Sequence, residues 1–272
     1  MSAAFDAAAL ARRLDAALRD RVPIPPPSET GELADVAGAY AAQRAWAELR
    51  EAAGDRIVGR KIGLTSPAMQ RQMGVDEPDY GDLWASCDLG SGAGGEVAVA
   101  LDRFVQPRAE GEVAFRLGAD LGGPEVTEAD ARAAVDAAAP ALEIVDSRIA
   151  DWRIALVDTV ADNASFGAFA CGAWSAELAR ADLPALPMRV LRAGEPVVSE
   201  TGAAVLGSPL RAVAWLARKL DSLGVGLRAG DIVLSGSFGG ALAVAAGDRF
   251  TVAVGDEPPL TVRFDPGPGA AA

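Results

Sequence analysis

Glu110-Gly111-Glu112, preceded by Pro107-Arg108 and followed further on by Glu143, is where this chain could do chemistry, and it stands in a 272-residue sequence without a single histidine. In a strand the side chains of residues i and i+2 share a face, so Glu110 and Glu112 are expected to point together, with Ala114 and Arg116 beyond them. Carboxylates side by side repel, and they coexist only with a cation, a shared proton or full solvation. With Glu143 as a third oxygen ligand, the fitting occupant is a hard divalent ion, Mg²⁺ or Mn²⁺, which prefers carboxylate and water and leaves coordination positions open for substrate. Zinc fits less well, because imidazole is absent and thiolate scarce. A solvated strand face with an unrelated Glu143 accounts for the same spacing, so spacing alone leaves both readings open.

The missing histidine excludes Ser-His-Asp and Cys-His catalysts and the His-based zinc protease helix. Proton transfer falls to Asp, Glu, Lys, Tyr or metal-bound water. Lys61 lies in a strand candidate between Arg60 and Ile62, and its default place is a solvated face, since lysine is seldom buried. Buried beside Glu110 and Glu112 it would become a cation for an anionic substrate or a proton donor. Asp79-Tyr80-Gly81 reads as an ordinary turn, and Asp158 to Ser165, with Asp162 and Asn163, as a loop with Asx turns. Gly90 to Gly95 matches GxGxxG letter for letter, but Glu96 to Leu101 alternates like a strand where a dinucleotide site needs a helix; a surface loop is the better reading. Ser235 to Gly240 has no P-loop lysine. Its hydroxyls and backbone amides could bind a carboxylate, a tight turn after a strand being the simpler account.

The elements that must position these residues follow from periodicity. Helices are expected over about 4–19 and 29–53, separated by Pro23, Pro25, Pro26 and Pro27. Ile57 to Leu64 reads as a strand, and Ser66 to Met73 as a short helix capped by Ser66 and ended at Gly74. Glu110 to Leu117 alternates, with Val113, Phe115 and Leu117 opposite the glutamates. Thr127 to Ala139 reads as a helix opened by a Thr127–Asp130 capping box and closed by Pro140. Strands are expected at Ala141 to Arg148, with Glu143, Val145 and Ser147 on one face, and at Ser165 to Gly172, 231–237, 249–254 and 260–264. A hairpin turns at Ala193-Gly194, and a helix runs from Ser208 to Leu223. Helices and strands do not alternate regularly, which favours an α+β fold with mixed or antiparallel sheets over a doubly wound one.

Half the residues are apolar and the net charge is −13 with a pI near 4.5. Such a chain can bury a large core, and its acidity speaks against nucleic acid as a partner. An anionic substrate would need a local cation or metal against that field. Cys87 and Cys171 lack CxxC spacing and read as buried free thiols. Charges within the first twenty residues fit a helix better than a signal peptide, and no apolar run is long enough to span a bilayer. A soluble, cytoplasmic protein without a membrane partner is expected.

Several segments together resemble a known family. Gly59 to Ser66 (GRKIGLTS), Pro78-Asp79-Tyr80-Gly81, Gln106 to Glu112 (QPRAEGE), Ala141 to Arg148 (ALEIVDSR), Asp158 to Ser165 (DTVADNAS), Gly230 to Ser237 and Ala246 to Phe250 are similar to the 2-keto-4-pentenoate hydratases of the fumarylacetoacetate hydrolase superfamily, in order and over nearly the whole chain. The resemblance implies a mixed β-sandwich roll with surrounding helices: an N-terminal helical segment (1–56) packed on a catalytic domain (57–266), with a frayed tail (267–272). It implies Mg²⁺ or Mn²⁺ held by Glu110, Glu112 and Glu143, an active-site lysine at Lys61, an acidic partner at Asp79, a substrate-binding hydroxyl at Ser237, and a homo-oligomer.

The implied reaction, in the meta-cleavage catabolism of aromatic compounds, adds water to 2-hydroxypenta-2,4-dienoate to give 4-hydroxy-2-oxopentanoate. The same grip on a 2-oxo acid serves 4-oxalocrotonate decarboxylation, hydration of longer analogues and acylpyruvate hydrolysis in other members. Asp146 to Trp152 and the Gln-Pro-Arg opening look more like the hydratase branch. A dicarboxylate substrate would want a further cation in the pocket, Arg108 or Arg148. From a different class, a non-catalytic oligomeric binding module would not need all three glutamates, Lys61 and Asp79.

Overall fold

A computed structural model describes residues 5–91 and 96–267. The chain opens with helices α1 (Ala7–Asp20) and α2 (Val36–Ala52), capped by Asp6 and Asp35, whose side chains accept from the N–H of Ala9 and Gly38. The second helix starts seven residues later than its periodicity suggests. Pro26 and Pro27 instead seed a run of turns through Leu33, with Gly31 at φ 73°, and Asp35 is the first residue placed to cap.

The chain then runs through β1 (Ile57–Gly63), α3 (Pro67–Met73), β2 (Asp79–Trp84), β3 (Asp88–Ser91), β4 (Glu96–Ala100) and β5 (Pro107–Leu117). Next come α4 (Glu128–Ala134), β6 (Val135–Asp146), α5 (Leu156–Ala161), β7 (Phe166–Cys171), α6 (Ala176–Arg180), β8 (Pro187–Arg192) and β9 (Glu195–Thr201). Helix α7 (Pro209–Asp221) and strands β10 (Ile232–Leu234), β11 (Leu242–Ala243), β12 (Arg249–Val254) and β13 (Leu260–Asp265) complete it. Positions 92–95 of the GxGxxG match and 268–272 of the expected tail lie outside the described residues.

Among the described residues the strands form two sheets. The larger has the order β2-β1-β10-β5-β6-β7-β3, with β11 also on β5; the smaller is β4-β13-β12-β8-β9. Parallel pairs (β1 with β10, β3 with β7, β4 with β13) stand among antiparallel ones, as expected for a mixed α+β roll. The sheets meet closely at Gly111: a Cβ there would lie 2.4 Å from Val190 Cγ2 of β8 and 2.7 Å from the Phe238 ring. Glycine between the two glutamates thus lets the small sheet approach β5 from behind while the carboxylates face the other way.

One expected helix is corrected. The Thr127–Asp130 capping box is present, but α4 ends at Ala134 and β6 runs on through Pro140. Ala137, Ala138 and Ala139 carry no period, and their small side chains fit the closed interior opposite Ala114 to Arg116. Pro140 falls at the end of the β7 ladder, where its carbonyl accepts from Gly172 N–H at 2.8 Å, so its missing donor costs one bond there and none to β5.

The N-terminal helices are tied to the sheet by buried polar contacts. Ser28 donates its N–H (2.9 Å) and hydroxyl (2.5 Å) to Asp158 of α5, and Gln43 donates to the carbonyls of Tyr80 and Val160. Among the described residues no helix is long and apolar enough to cross a membrane.

Candidate metal centre and cleft

The antiparallel register of β5 and β6 places Glu143 directly opposite Glu110, with Glu112 two residues along on the same face. Ligating oxygens of the three lie within 4.8 Å of one another, and all three residues are buried. The solvated-strand reading therefore fails. Glu112 Oε2 accepts from Gly236 N–H at 2.7 Å, but Glu112 Oε1 and both carboxylate oxygens of Glu143 have no hydrogen-bond partner. Buried carboxylate oxygens are costly without one. These orphaned atoms, all hard oxygens converging on one point, fit a divalent ion.

Lys61 is buried too, and its default place on a solvated face is corrected. Its Nζ donates to the Ala164 carbonyl at 3.1 Å and sits 3.2 Å from Glu143 Oε1, paired in charge but not aligned for a hydrogen bond. It is one of only two lysines in a chain that otherwise uses arginine, which suits a site needing a compact ammonium. Asp79-Tyr80-Gly81 is no turn: it opens β2, with Asp79 opposite Gly63 of β1. A Cβ on Gly63 would lie 2.2 Å from Asp79 Oδ1 and 3.4 Å from Lys61 Nζ, so the missing side chain makes the space in which acid and amine meet. Asp79 Oδ1 has no hydrogen-bond partner.

The electrostatics follow from crowding. Burial pulls the Lys61 ammonium down, yet Glu143, Asp79, Glu110 and Glu112 together hold it above its ordinary value. Burial and the neighbouring Glu143 carboxylate push Glu110 up to about 7 and Glu112 well above the usual range. Glu143 and Asp79 are raised by burial against the pull of Lys61. Four carboxylates face Lys61 and, beside Glu110, Arg108. Full ionisation leaves a deficit of two positive charges, the charge of a divalent ion.

Glu110 brings the cluster to a cleft of about 420 Å³, which Lys61, Asp79, Arg108 and Glu110 line together with Leu64, Met69, Met73, Val145, Trp152 and Ile154. One end is therefore ionic and one wall apolar, the latter partly from α3, whose start is fixed by the Ser66 cap and whose end by Gly74 at φ 67°. The open question between the two arginines is resolved. The Arg108 guanidinium lies 4.3 Å over the Trp152 ring at the cleft, whereas Arg148 is fully buried, donating from Nε to Asp162 Oδ1 at 2.6 Å and from its other nitrogens to the carbonyls of Asp146, Phe166 and Asp162. Ser237 does not join the cluster: its hydroxyl donates to the Gly239 carbonyl within its own turn at 2.6 Å, and the same turn reaches the trio through the Gly236 N–H.

Residue patterns did not single out Met69, Met73, Trp152 or the Ala164 carbonyl. Trp152 has φ 55° and Asp151 before it φ 61°, a local backbone choice that no glycine marks. The methionines look like any helix stripe until α3 is seen over the cleft.

Residues 77–265 match the family described as fumarylacetoacetate (FAA) hydrolase C-terminal. The chain is 42% identical to the 2-hydroxyhexa-2,4-dienoate hydratase of Comamonas testosteroni over 93% of its own length and 95% of that protein's. It is 48% identical to 2-keto-4-pentenoate hydratase 2 of Dechloromonas aromatica, over 90% and 92%. Among solved structures, the 4-oxalocrotonate decarboxylase of Pseudomonas putida G7, complexed with magnesium and adipate, superposes with a TM-score of 0.89 at 34% identity, covering 95% of this chain and 97% of that one.

Proposed function

We infer that this chain, which belongs to the 2-keto-4-pentenoate hydratase family of the fumarylacetoacetate hydrolase superfamily, is a hydro-lyase that adds water to 2-hydroxypenta-2,4-dienoate to give 4-hydroxy-2-oxopentanoate. The observation that carries this reading is the set of orphaned carboxylate oxygens on Glu112 and Glu143, clustered with Glu110, which lines a cleft that also presents Lys61 and Asp79. Glu110, Glu112 and Glu143 would hold Mg²⁺ or Mn²⁺. Such an ion supplies Lewis acidity toward the carboxylate and 2-oxygen of a 2-oxo acid.

The remaining work falls to side chains. The dienol gives up its hydroxyl proton and takes a proton at C5, which yields the conjugated 3-en-2-one; water then adds at C4 while a proton is delivered to C3. Lys61, kept charged by its four carboxylates, is a donor and not a base. It can hold the substrate carboxylate or hydrogen-bond the oxygen on which charge develops. Asp79, raised by burial and with Oδ1 free, is the group fitted to carry the moving proton. Leu64, Met69, Met73 and Ile154 exclude water from the hydrocarbon end. A soluble, cytoplasmic homo-oligomer, with residues 1–56 as a buttress for a catalytic domain over 57–266, completes the proposal; Ser237 is then a shaping residue of the Gly236 turn.

One observation favours a second reading. Arg108 offers the cleft a cation, and a dicarboxylate such as 4-oxalocrotonate could use it. Relatives at 42% and 48% identity carry hydratase names, against 34% for the decarboxylase structure, which supports water addition. The test is to follow freshly generated 2-hydroxypenta-2,4-dienoate by ultraviolet absorbance and identify the product. Metal-dependent formation of 4-hydroxy-2-oxopentanoate is expected. Carbon dioxide release from 4-oxalocrotonate, with no loss of the pentadienoate, would select the decarboxylase instead.

A further inference from the structure

We propose that Asn163 is a positioning residue for the reaction: it locks a left-handed turn over residues 163–165 that aims the Ala164 carbonyl at the Lys61 ammonium and so fixes where the remaining N–H groups of Lys61 point.

Asn163, Ala164 and Ser165 have φ of 55°, 50° and 53°, three non-glycine residues in succession in the left-handed region. L residues visit this region as single positions and at a cost, and even asparagine, the most tolerant, does not form runs there. A run of three persists only where its surroundings over-determine it, and such strain gathers at working sites. The clamp is the Asn163 carboxamide. Its Nδ2 donates to the Asp82 carbonyl at 2.9 Å and its Oδ1 accepts from the Asp82 N–H at 2.7 Å. Because β2 is an edge of the large sheet, this side chain occupies the place a neighbouring strand would take. Gly81 makes the approach possible: a Cβ there would lie 2.4 Å from the Asn163 carbonyl oxygen. On the other side Asp162 holds the turn, its carbonyl accepting from Ser165 N–H at 3.0 Å and its carboxylate from the Ser165 hydroxyl at 3.4 Å.

What the turn delivers to the cleft is one carbonyl. An ammonium has three donors. Ala164 takes one at 3.1 Å, while Glu143, 3.2 Å away, draws the ammonium by charge without an aligned hydrogen bond, so the Ala164 carbonyl sets its rotation and turns the remaining donors toward a bound substrate. An extended backbone at Ala164 would rotate that peptide plane and take its oxygen off the amine. Asn163 is itself buried and stands behind the cleft wall, so it acts through Ala164 on Lys61.

Two variants test this, with turnover of 2-hydroxypenta-2,4-dienoate, Mn²⁺ affinity and thermal unfolding measured side by side with the wild type. The inference rests on the hydratase reading for its substrate, and a wild type without turnover would sink that reading; the variants are judged by other readouts as well. Ala164→Gly accepts the positive φ without strain, so its Tm should hold or rise, but glycine is not confined to that region, and this freedom lets the carbonyl swing off the amine, so kcat falls about tenfold. Asn163→Ala removes the clamp and should cost about 10²-fold in kcat, the scale of a misplacement of about 1 Å. In both, KM and Mn²⁺ affinity should stay within about twofold, since the trio and its register are untouched. Full kcat in Ala164→Gly overturns the proposal, as does a kcat loss matched by an equal loss of Mn²⁺ affinity. If Asn163→Ala does not fold, Ala164→Gly decides alone.

Discussion

Two knots of buried charge lie close together in the chain, one joining Arg148, just after β6, to Asp162, just after α5, the other centred on Glu143 of β6 with Glu110 and Glu112 of β5, and they are finished in opposite ways. Around Arg148, Asp162 accepts from the arginine Nε at 2.6 Å, the Arg148 N–H at 3.0 Å and the Ser147 hydroxyl at 3.0 Å, and Trp46 stacks under the guanidinium at 5.1 Å. Neither Arg148 nor Asp162 leaves a buried polar side-chain atom unpartnered, whereas Glu112 and Glu143 together leave three. The first knot is complete as built and pins β6 to the turn. The second is complete only with something added. The contrast separates charge that holds the fold from charge that awaits a ligand, and it needs no motif to do so.

The widest break in this comparison should come from neutral variants of each knot. Arg148→Met strands a buried Asp162 carboxylate and should cost about 3–5 kcal/mol of stability, read as loss of soluble folded protein or a steep drop in the denaturant midpoint. Glu112→Gln should do the reverse. Its folding midpoint in EDTA should hold or rise, because one repelling carboxylate is gone, while hydration falls by about 10³-fold or more with loss of the Lewis acid. Equal destabilisation by both variants would erase the distinction.

Lys61→Met comes next. It keeps volume but removes the donor, and kcat should fall about 10²- to 10⁴-fold, the range for a positioned acid or base. Mn²⁺ binding measured by calorimetry should survive. Loss of binding would make the lysine a structural counter-ion of the trio.

The pH dependence sharpens the contrast further. Glu110 is pushed up to about 7 in the metal-free fold, above the unfolded carboxyl value, so the folded protein holds a proton that the unfolded chain has released. The associated stability is present at low pH and lost as pH rises through about 7. A divalent ion held by the trio would replace that proton. The rise in Tm on adding Mn²⁺ should therefore grow from pH 5.5 to 8, with proton release on binding near pH 6. A Tm rise independent of pH would contradict the crowded-carboxylate picture.

The smallest effect is expected at the rim. Arg108→Gln should leave the kcat on a monocarboxylate dienoate nearly unchanged and raise KM for a dicarboxylate about tenfold, the scale of one charge-assisted hydrogen bond. Identical KM changes for both substrates would show that Arg108 holds the carboxylate they have in common.

Much of the site was legible because it rests on period 2. Alternation put Glu110 and Glu112 on one face, and the charge of a fitting partner followed from oxygen ligands without histidine; the resemblance brought in the roles of Lys61 and Asp79. What could not be read has physical reasons. The alanines from Ala137 to Ala139 suit a helix or a tight sheet interior equally, so the residue pattern carries α4 past Ala134 and hides the start of β6. The burial of Lys61 depends on Gly63 and Asp79 across a strand pair, which no local pattern reports. The left-handed run at 163–165 contains no glycine, and the Arg148–Asp162 knot joins residues whose partnership only the turn reveals.

Titrating the EDTA-stripped protein with Mn²⁺ while following the ultraviolet signal of 2-hydroxypenta-2,4-dienoate tests the central claim most directly. No turnover should be seen at the start, and full activity should be reached at one ion per chain, with no response in Glu112→Gln. Turnover that persists in EDTA, or that responds to Mn²⁺ equally in Glu112→Gln, would contradict a metal centre built on Glu110, Glu112 and Glu143.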